Sequence, residues 1–285
     1  MLKALEFIGY TDGGSTPLFI RADDGKLYLT KLMGNRQGDC TLINEHVGSF
    51  VLRFMGVNVA FTTVLNVSEA FIVENNLRAL PNGENFVAGP AFASQVVGDV
   101  RLLPDKRVHS ANLVNLSPHH VPALINSDDF AATLIADMAL DNVDVRQVVF
   151  EPVEGKLRAL MVDQGCCFGG FPWVAREQVS TTEPGFRISV NSMVAASIFA
   201  SCTDEDIDRH LARIEQLTPR LLQEAAAQAP CVWFDRTNLR AEFDLAIAAF
   251  FQRLPQIRRA AEATLEKIHQ AGIVIYIGAD TANKF

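Results

Sequence analysis

The sequence predicts an α+β chain of two lobes: a small, strand-rich N-lobe over residues 1–88 and a larger, mostly helical C-lobe over residues 89–285. Three observations predict it. The first 75 residues hold several short apolar runs of strand length between turn signals, and Lys26 to Lys31 alternates with the side-chain period of a strand. From Ser127 onward apolar residues instead recur at three- and four-residue steps, as on the buried face of a helix. Between these regimes lies a polar break, Leu77 to Asn85. Gly89-Pro90-Ala91-Phe92-Ala93-Ser94 follows it and reads as a crossing between lobes.

The N-terminal elements follow in order. Leu5 to Tyr10 is a strand, Thr11 to Thr16 a polar turn, and Leu18 to Arg21 a second strand. Asp24-Gly25 is a hairpin signal, because glycine accepts positive φ without cost. Lys26 to Lys31 alternates again, with Leu27, Leu29 and Lys31 on one face. A lysine there is unusual, although a strand-end lysine can snorkel to water. Thr41 can cap a helix that runs to Met55 and stops at Gly56. Its apolar stripe is Leu42, Ile43, Val47, Phe50, Val51 and Phe54, and Glu45 lies on the same helix. Ala60 to Leu65 and Glu69 to Val73 read as two more strands, so a sheet with one helix in its middle is expected.

Residues 98–127 are rich in proline and hold His109, His119 and His120. No carboxylate or cysteine stands at ligand spacing from the His-His pair, so an irregular surface or substrate loop is expected rather than a metal site. Ser127-Asp128-Asp129 can cap a helix to Leu140, with Phe130, Leu134, Ile135 and Met138 turned inward. Val148 to Phe150 and Leu157 to Val162 then form a hairpin around Glu151 to Gly155. Thr203-Asp204-Glu205-Asp206 resembles a capping box. It opens a helix with Ile207, Leu211, Ile214, Leu217 and Leu221 on one face. Two further helices are expected on either side of Pro255, with a short strand or docked tail at 273–277.

Composition excludes several classes of function. With 25 Lys and Arg against 33 Asp and Glu, the net charge of -8 opposes direct nucleic-acid binding, which needs basic surface to displace counterions. The five cysteines form no C-x-x-C pair, and with no signal-like start they fit reduced thiols in a cytoplasm. No run of some 18 apolar residues predicts a membrane span.

The candidate chemistry lies in two acids nineteen positions apart. Asp144 follows the helix that ends at Leu140, and Asp163 closes the second hairpin strand just before Gly165. A carboxylate at a helix-to-loop corner and another at a strand end is how phosphoryl-transfer enzymes place a base and a metal ligand. Each acid alone is an ordinary corner residue. Both stand at ends of one hairpin, and Lys31 and Glu45 lie upstream in fitting order.

Five segments resemble the HipA-like kinases, a branch of the protein-kinase-like fold. They are Gly13-Gly14-Ser15-Thr16-Pro17, Lys31 on its strand, Asn44-Glu45, Gly89 to Ser94, and Asn142-x-Asp144-x-Arg146-Gln147 with Asp163-Gln164-Gly165-x-x-Phe168. They span about residues 11 to 170, and the helical end matches only in general character. The resemblance implies a two-lobed protein-kinase-like fold and an enzyme that uses ATP and Mg²⁺ to phosphorylate a hydroxyl, protein serine or threonine included. Lys31 would hold the α- and β-phosphates and Glu45 would fix Lys31. Asp144 would be the catalytic aspartate. Asp163 would bind magnesium, with Gln147 as the second ligand. Gly13, Gly14, Ser15 and Thr16 would cap the phosphates, and Phe92 and Ala93 would flank the adenine. Some members of the family work in toxin–antitoxin complexes, which adds a DNA-associated partner as a third reading, although the acidic balance and the absence of a recognisable helix-turn-helix count against direct DNA binding.

The sequence departs from the family pattern at three points. Val149 stands five residues after Asp144, where the family carries an asparagine. Val145 follows Asp144, and arginine comes one position later. The metal motif is Asp-Gln-Gly rather than Asp-Phe-Gly. These changes keep an alternative open: a module on the same scaffold that binds nucleotide without transferring phosphate. Cys166 and Cys167 are expected as small packed residues, and Phe171 and Trp173 as core or lid contacts.

Overall fold

A computed structural model describes residues 1–98, 100–110, 123–144, 146–173, 177 and 202–270. In it, β1 (Leu2–Tyr10), β2 (Leu18–Ala22) and β3 (Leu27–Met33) pair antiparallel in succession. β4 (Thr62–Val67) and β5 (Val87–Gln95) complete a closed barrel in the order β1-β2-β3-β5-β4. Leu2 and Lys3 of β1 pair in parallel with Leu65 and Asn66 of β4, so the expected sheet closes on itself. Leu18, Ile20, Tyr28, Leu32, Leu65 and Ala93 are among the residues that fill the barrel core.

Two expectations for this region fail. Glu69 to Val73 is no strand but the start of helix α2 (Glu69–Glu74). The Ser68 side chain accepts the Phe71 N–H at 3.1 Å and caps it, and the adjacent Phe71 and Ile72 are both buried. The Gly89 to Ser94 segment is no crossing but part of β5, central between β3 and β4. A proline in a central strand leaves a ladder bond unmade. Here Pro90 falls where the β3–β5 register slips, between the Lys31–Phe92 and Met33–Val87 pairs. The expected boundary after residue 88 therefore lies inside a barrel strand.

Helix α1 (Cys40–Phe54) belongs by sequence to the first 88 residues but shares its core with the C-terminal helices. Thr41 does not cap it. The helix starts at Cys40, and the Thr41 hydroxyl donates to Gly38 O at 2.8 Å. Helix α3 (Asp128–Leu140) forms where expected, yet its first acids also do other work. Asp129 accepts the Asn58 backbone and side-chain N–H groups at 2.7 and 2.8 Å, tying α3 to the start of the loop before β4. The hairpin β8 (Gln147–Val153) and β9 (Lys156–Val162) follows in register.

Within 98–127, β6 (Val100–Leu102) and β7 (Val108–Ser110) form a small hairpin against β1. Tyr10 N donates to Lys106 O at 3.0 Å. Gly9 permits that approach, since a Cβ there would stand 2.3 Å from Lys106 O.

The capping box forms at α4 (Asp204–Ile214): Thr203 and Asp206 satisfy each other's backbone N–H. The expected single helix through Leu221 breaks instead. Thr218 caps a separate helix α5 (Pro219–Ala227) with proline in its first turn, and Leu222 rather than Leu221 is buried. After α6 (Val232–Asp235), α7 (Arg240–Gln270) runs through Pro255 without a break. An interior proline costs about 3 kcal/mol in a helix. Buried residues on both sides, Phe243, Ile247 and Phe250 before it and Ile257, Ala261 and Leu265 after it, offset that cost. His119, His120, Val145 and the segment 273–277 lie outside the described residues. Among the described residues no helix is long and apolar enough to cross a membrane.

Candidate active site

Lys31 is the fixed point. Strand β3 carries it to 6% exposure, in a stretch of the strand that is buried on both faces. Its Nζ donates to Glu45 Oε1 at 2.5 Å and to Asp163 Oδ1 at 2.7 Å. Burial alone would depress the lysine. The two carboxylates outweigh burial and hold its pKa above the ordinary range, so Lys31 stays protonated. Burial raises the Glu45 carboxyl above its usual range, against the pull of Lys31. Asp163, with its side chain 28% exposed, is held below its usual range: Lys31 overcomes the effect of burial.

The loop after β9 shapes itself around this cluster. Asp163 adopts a left-handed backbone at φ 59°, uncommon outside glycine and a frequent mark of a functional corner. Glycine at 165 leaves room for the lysine, because a Cβ there would stand 2.8 Å from the Lys31 Nζ. Glu45 Oε2 accepts the Gln164 backbone N–H at 2.9 Å, so one carboxylate aligns both Lys31 and the loop. Gly48, one turn further along α1, leaves room for Gln164, whose Cβ would otherwise meet a side chain at 2.8 Å.

The Asp144 corner is sewn to the same loop through the backbone. Val143 N donates to Cys166 O at 3.1 Å, Phe168 N to Leu140 O at 2.5 Å and Gly169 N to Asp141 O at 3.0 Å. Asp144 itself is exposed, and its Oδ2 accepts a long 3.7 Å bond from the Cys166 thiol. Gln147 donates its side-chain N–H to Asp163 Oδ2 at 2.9 Å.

A cavity of about 670 Å³ joins these parts. Gly13, Gly14, Ser15, Lys31, Glu45, Phe92, Asp144, Gln147 and Asp163 all line it. Two expected residues do not. Thr16 is buried at φ 45° with its hydroxyl on Pro81 O at 2.6 Å, because it closes the turn that starts at Gly13. Ala93 is fully buried among the barrel's core residues, since strand alternation turns Phe92 and Ser94 to the cavity and Ala93 away. Ser94, Gln95, Val96 and Val97 extend the lining beyond Phe92, and Val149 supplies an apolar wall where an amide was expected.

Sequence reasoning missed Arg107, which reaches the cavity from the loop before β7. It bonds Asp12 at 3.1 Å and Asp105 at 2.6 Å. Nothing in its local pattern signals this, because the contact depends on how the hairpin docks on β1. It also missed the work of Asn44 and Arg146. Each was quoted for its place in a motif, and each holds the Asp163 loop from behind.

No protein-family model matches the chain. No curated protein matches it either. Among solved structures, the chain is similar to a Helicobacter pylori proinflammatory kinase, CtkA, at 12% identity and a TM-score of 0.48, over 92% of this chain and 96% of that one. The functional reading rests on the site geometry.

Proposed function

We propose that the chain is a two-lobed, HipA-like kinase that uses ATP and Mg²⁺ to move the γ-phosphate to a hydroxyl. One observation carries the reading: Lys31, Glu45 and Asp163 form a buried charge cluster in the same cavity as the glycine turn and Asp144. Phosphoryl transfer needs little covalent help from protein and much placed charge. Lys31, once its partners turn to other work, is placed to hold phosphate oxygens, and Glu45 keeps its ammonium aimed. The exposed Asp144 can take the proton of the attacking hydroxyl. That oxygen bonds to the γ-phosphorus, the bond to the bridging oxygen breaks, and ADP leaves. Phe92, Val96 and Val97 offer an apolar wall for a base.

The donor set suits magnesium. Among the described residues no three metal-ligating side chains cluster. Magnesium does not need them, since it usually keeps several waters and takes one or two carboxylates plus substrate phosphates. Asp163, part-exposed to the cavity, and the Gln147 amide oxygen would hold it. Bound there, the ion would neutralise charge developing on the phosphates.

Thermal denaturation with ATP, with and without Mg²⁺, tests the site. Nucleotide at 100 times its Kd stabilises by about 2.7 kcal/mol. Phosphate transfer to the chain itself or to a generic hydroxyl substrate should fall by about 10²–10⁴ in Asp144→Ala, the usual worth of a positioned base. The alternative, nucleotide binding without transfer, draws on Val149, which replaces an expected metal-binding amide with an apolar side chain. Binding by the wild type with no transfer selects it. No stabilisation at millimolar nucleotide rejects both readings.

A further inference from the structure

Asn44 stands next to Glu45 on α1 and is fully buried. Neighbours on a helix point about 100° apart, so the two side chains serve different partners. Glu45 takes Lys31 and the Gln164 N–H. Asn44 reaches further along the same loop. Its Nδ2 donates to Gly165 O at 2.8 Å and to Cys167 O at 2.9 Å, with Gly170 O more distant at 3.4 Å. Its Oδ1 accepts the Trp173 indole N–H at 2.6 Å. A primary amide has two N–H groups and one carbonyl, and this one spends all of them on residues 165–173. Only one orientation of the amide serves these partners, because a flipped amide would turn an oxygen on two carbonyls and a donor on the indole N–H.

Trp173 is fixed from its other side as well. Its ring lies 5.3 Å from that of Phe243 on α7, and the Phe168 ring lies 5.7 Å from the same phenylalanine. Asn44 and Trp173 therefore clamp the loop between α1 and α7. The loop needs a clamp: Asp163, Phe168, Gly169 and Gly170 all have positive φ, so it leaves regular structure twice within eight residues. Carbonyl 165 lies within the Gln164–Cys167 turn that follows Asp163 and carbonyl 167 ends it. The Gly165 N–H in turn donates to Asp163 Oδ1 at 3.4 Å, so fixing these carbonyls limits where the carboxylate can point.

We propose that Asn44, held by Trp173, is the positioning residue that sets Asp163 for a magnesium–nucleotide complex, and that Trp173 emission reports when the site is filled. This rests on the metal role given to Asp163 above. Neither side chain lines the cavity, so neither touches the ligand. Both act through the loop.

The test is a magnesium titration at fixed ATP, read by thermal stabilisation and by tryptophan emission. Wild type and the Asn44→Ala and Trp173→Phe variants are compared. Trp173→Phe keeps an aromatic ring against Phe243 and removes the indole N–H with part of the fused ring, so it serves if Asn44→Ala does not fold. The magnesium midpoint should rise about tenfold or more in Asn44→Ala, as when an outer partner of a metal-binding carboxylate is removed, with a smaller rise in Trp173→Phe. A merely structural role would lower melting equally at every magnesium concentration and leave the midpoint alone. Wild-type emission should change on Mg²⁺-ATP addition, and that change should vanish in Trp173→Phe, leaving Trp233 silent. Folded variants with the wild-type midpoint overturn the inference alone. A wild type that does not respond to Mg²⁺-ATP overturns the metal-site reading and the inference with it.

Discussion

Lys31 and Arg146 are both buried cations held by carboxylates, and both reach the residues around Asp163, yet only Lys31 faces the cavity. Arg146 pairs with Asp137 of α3 through Nε at 3.0 Å and through Nη2. Its Nη1 donates to Val162 O at 3.2 Å, to Asp163 O at 3.3 Å and to the Gln164 side chain. Asn142, two residues before Asp144, also bonds Asp137 at 3.2 Å. The guanidinium is thus satisfied from within, and it fastens the Asp144 corner to the far end of β9. The Lys31 cluster is built differently. Two carboxylates face one ammonium, an excess of negative charge that a closed interior would not tolerate. The cluster opens on a cavity, and a bound cation and phosphates can complete it. Burial with an ion pair describes both sites. Access to the partner groups separates the structural one from the candidate catalytic one.

The first way to break that comparison is to remove each cation. Arg146→Ala leaves Asp137, 1% exposed, buried without its countercharge and should cost about 3–5 kcal/mol. Lys31→Ala should cost less, on the order of 1–3 kcal/mol, since Glu45 keeps the Gln164 N–H and Asp163 still reaches the cavity. Denaturant unfolding reads both. Nucleotide stabilisation should disappear in Lys31→Ala and survive in whatever fraction of Arg146→Ala folds. Equal stability losses, or nucleotide binding untouched in Lys31→Ala, would erase the distinction.

How much of this the sequence declares depends on whether the cause is local. Strands β1 to β3 are legible because alternation and an Asp-Gly turn are local facts, and the β8–β9 hairpin is legible for the same reason. Lys31 is legible as an anomaly, a charge on an apolar strand face. Asp163 is legible as a strand-end acid two residues before Gly165, and Glu45 only once Lys31 asks for a partner. What local pattern cannot carry is tertiary context. Glu69 to Val73 has strand composition, and a serine cap makes it a helix. Pro90 reads as a breaker, and a register slip absorbs it in a central strand. Pro255 reads as a stop, and packing on both sides carries α7 through it. The apolar stripe through Leu221 reads as one helix, and the Thr218 cap with proline in the first turn after it divides that stripe. In the site, Thr16 and Ala93 miss the cavity because turn closure and strand alternation point them elsewhere, and the docking of β6–β7 that brings in Arg107 has no sequence period.

Arg107 sharpens the comparison from the exposed end. Its side chain is 45% exposed, and its partners Asp12 and Asp105 are exposed too. Surface pairs of this kind contribute little to stability and are screened by salt. Asp12 adjoins Gly13 and Gly14, so the pair ties the hairpin to the glycine turn at the cavity wall. Arg107→Ala should leave the unfolding midpoint unchanged within error. It should weaken nucleotide binding modestly, by an amount that shrinks as salt rises. A large loss of stability would place Arg107 with Arg146 instead.

The smallest effect expected is at Cys166, whose thiol lines the cavity between the Asp144 corner and the Lys31 cluster. Burial, with Asp163 and Asp144 alongside, pushes that thiol up to about 12. The thiolate is the form that alkylates, so Cys166 should resist iodoacetamide near pH 8 and react only as pH climbs toward that value. Cys231, exposed on the surface, is the internal comparison and should react first. The two charges flanking Cys166 act in opposite directions. Asp144→Asn removes a neighbouring anion and should lower the pH at which Cys166 reacts, on the order of one pH unit. Lys31→Ala removes a cation and should raise it. Mass spectrometry of alkylated peptides across pH reads both shifts. If neither substitution moves the reaction, Cys166 does not sense the charges that the cavity brings together, and the two halves of the site are further apart than the structure places them.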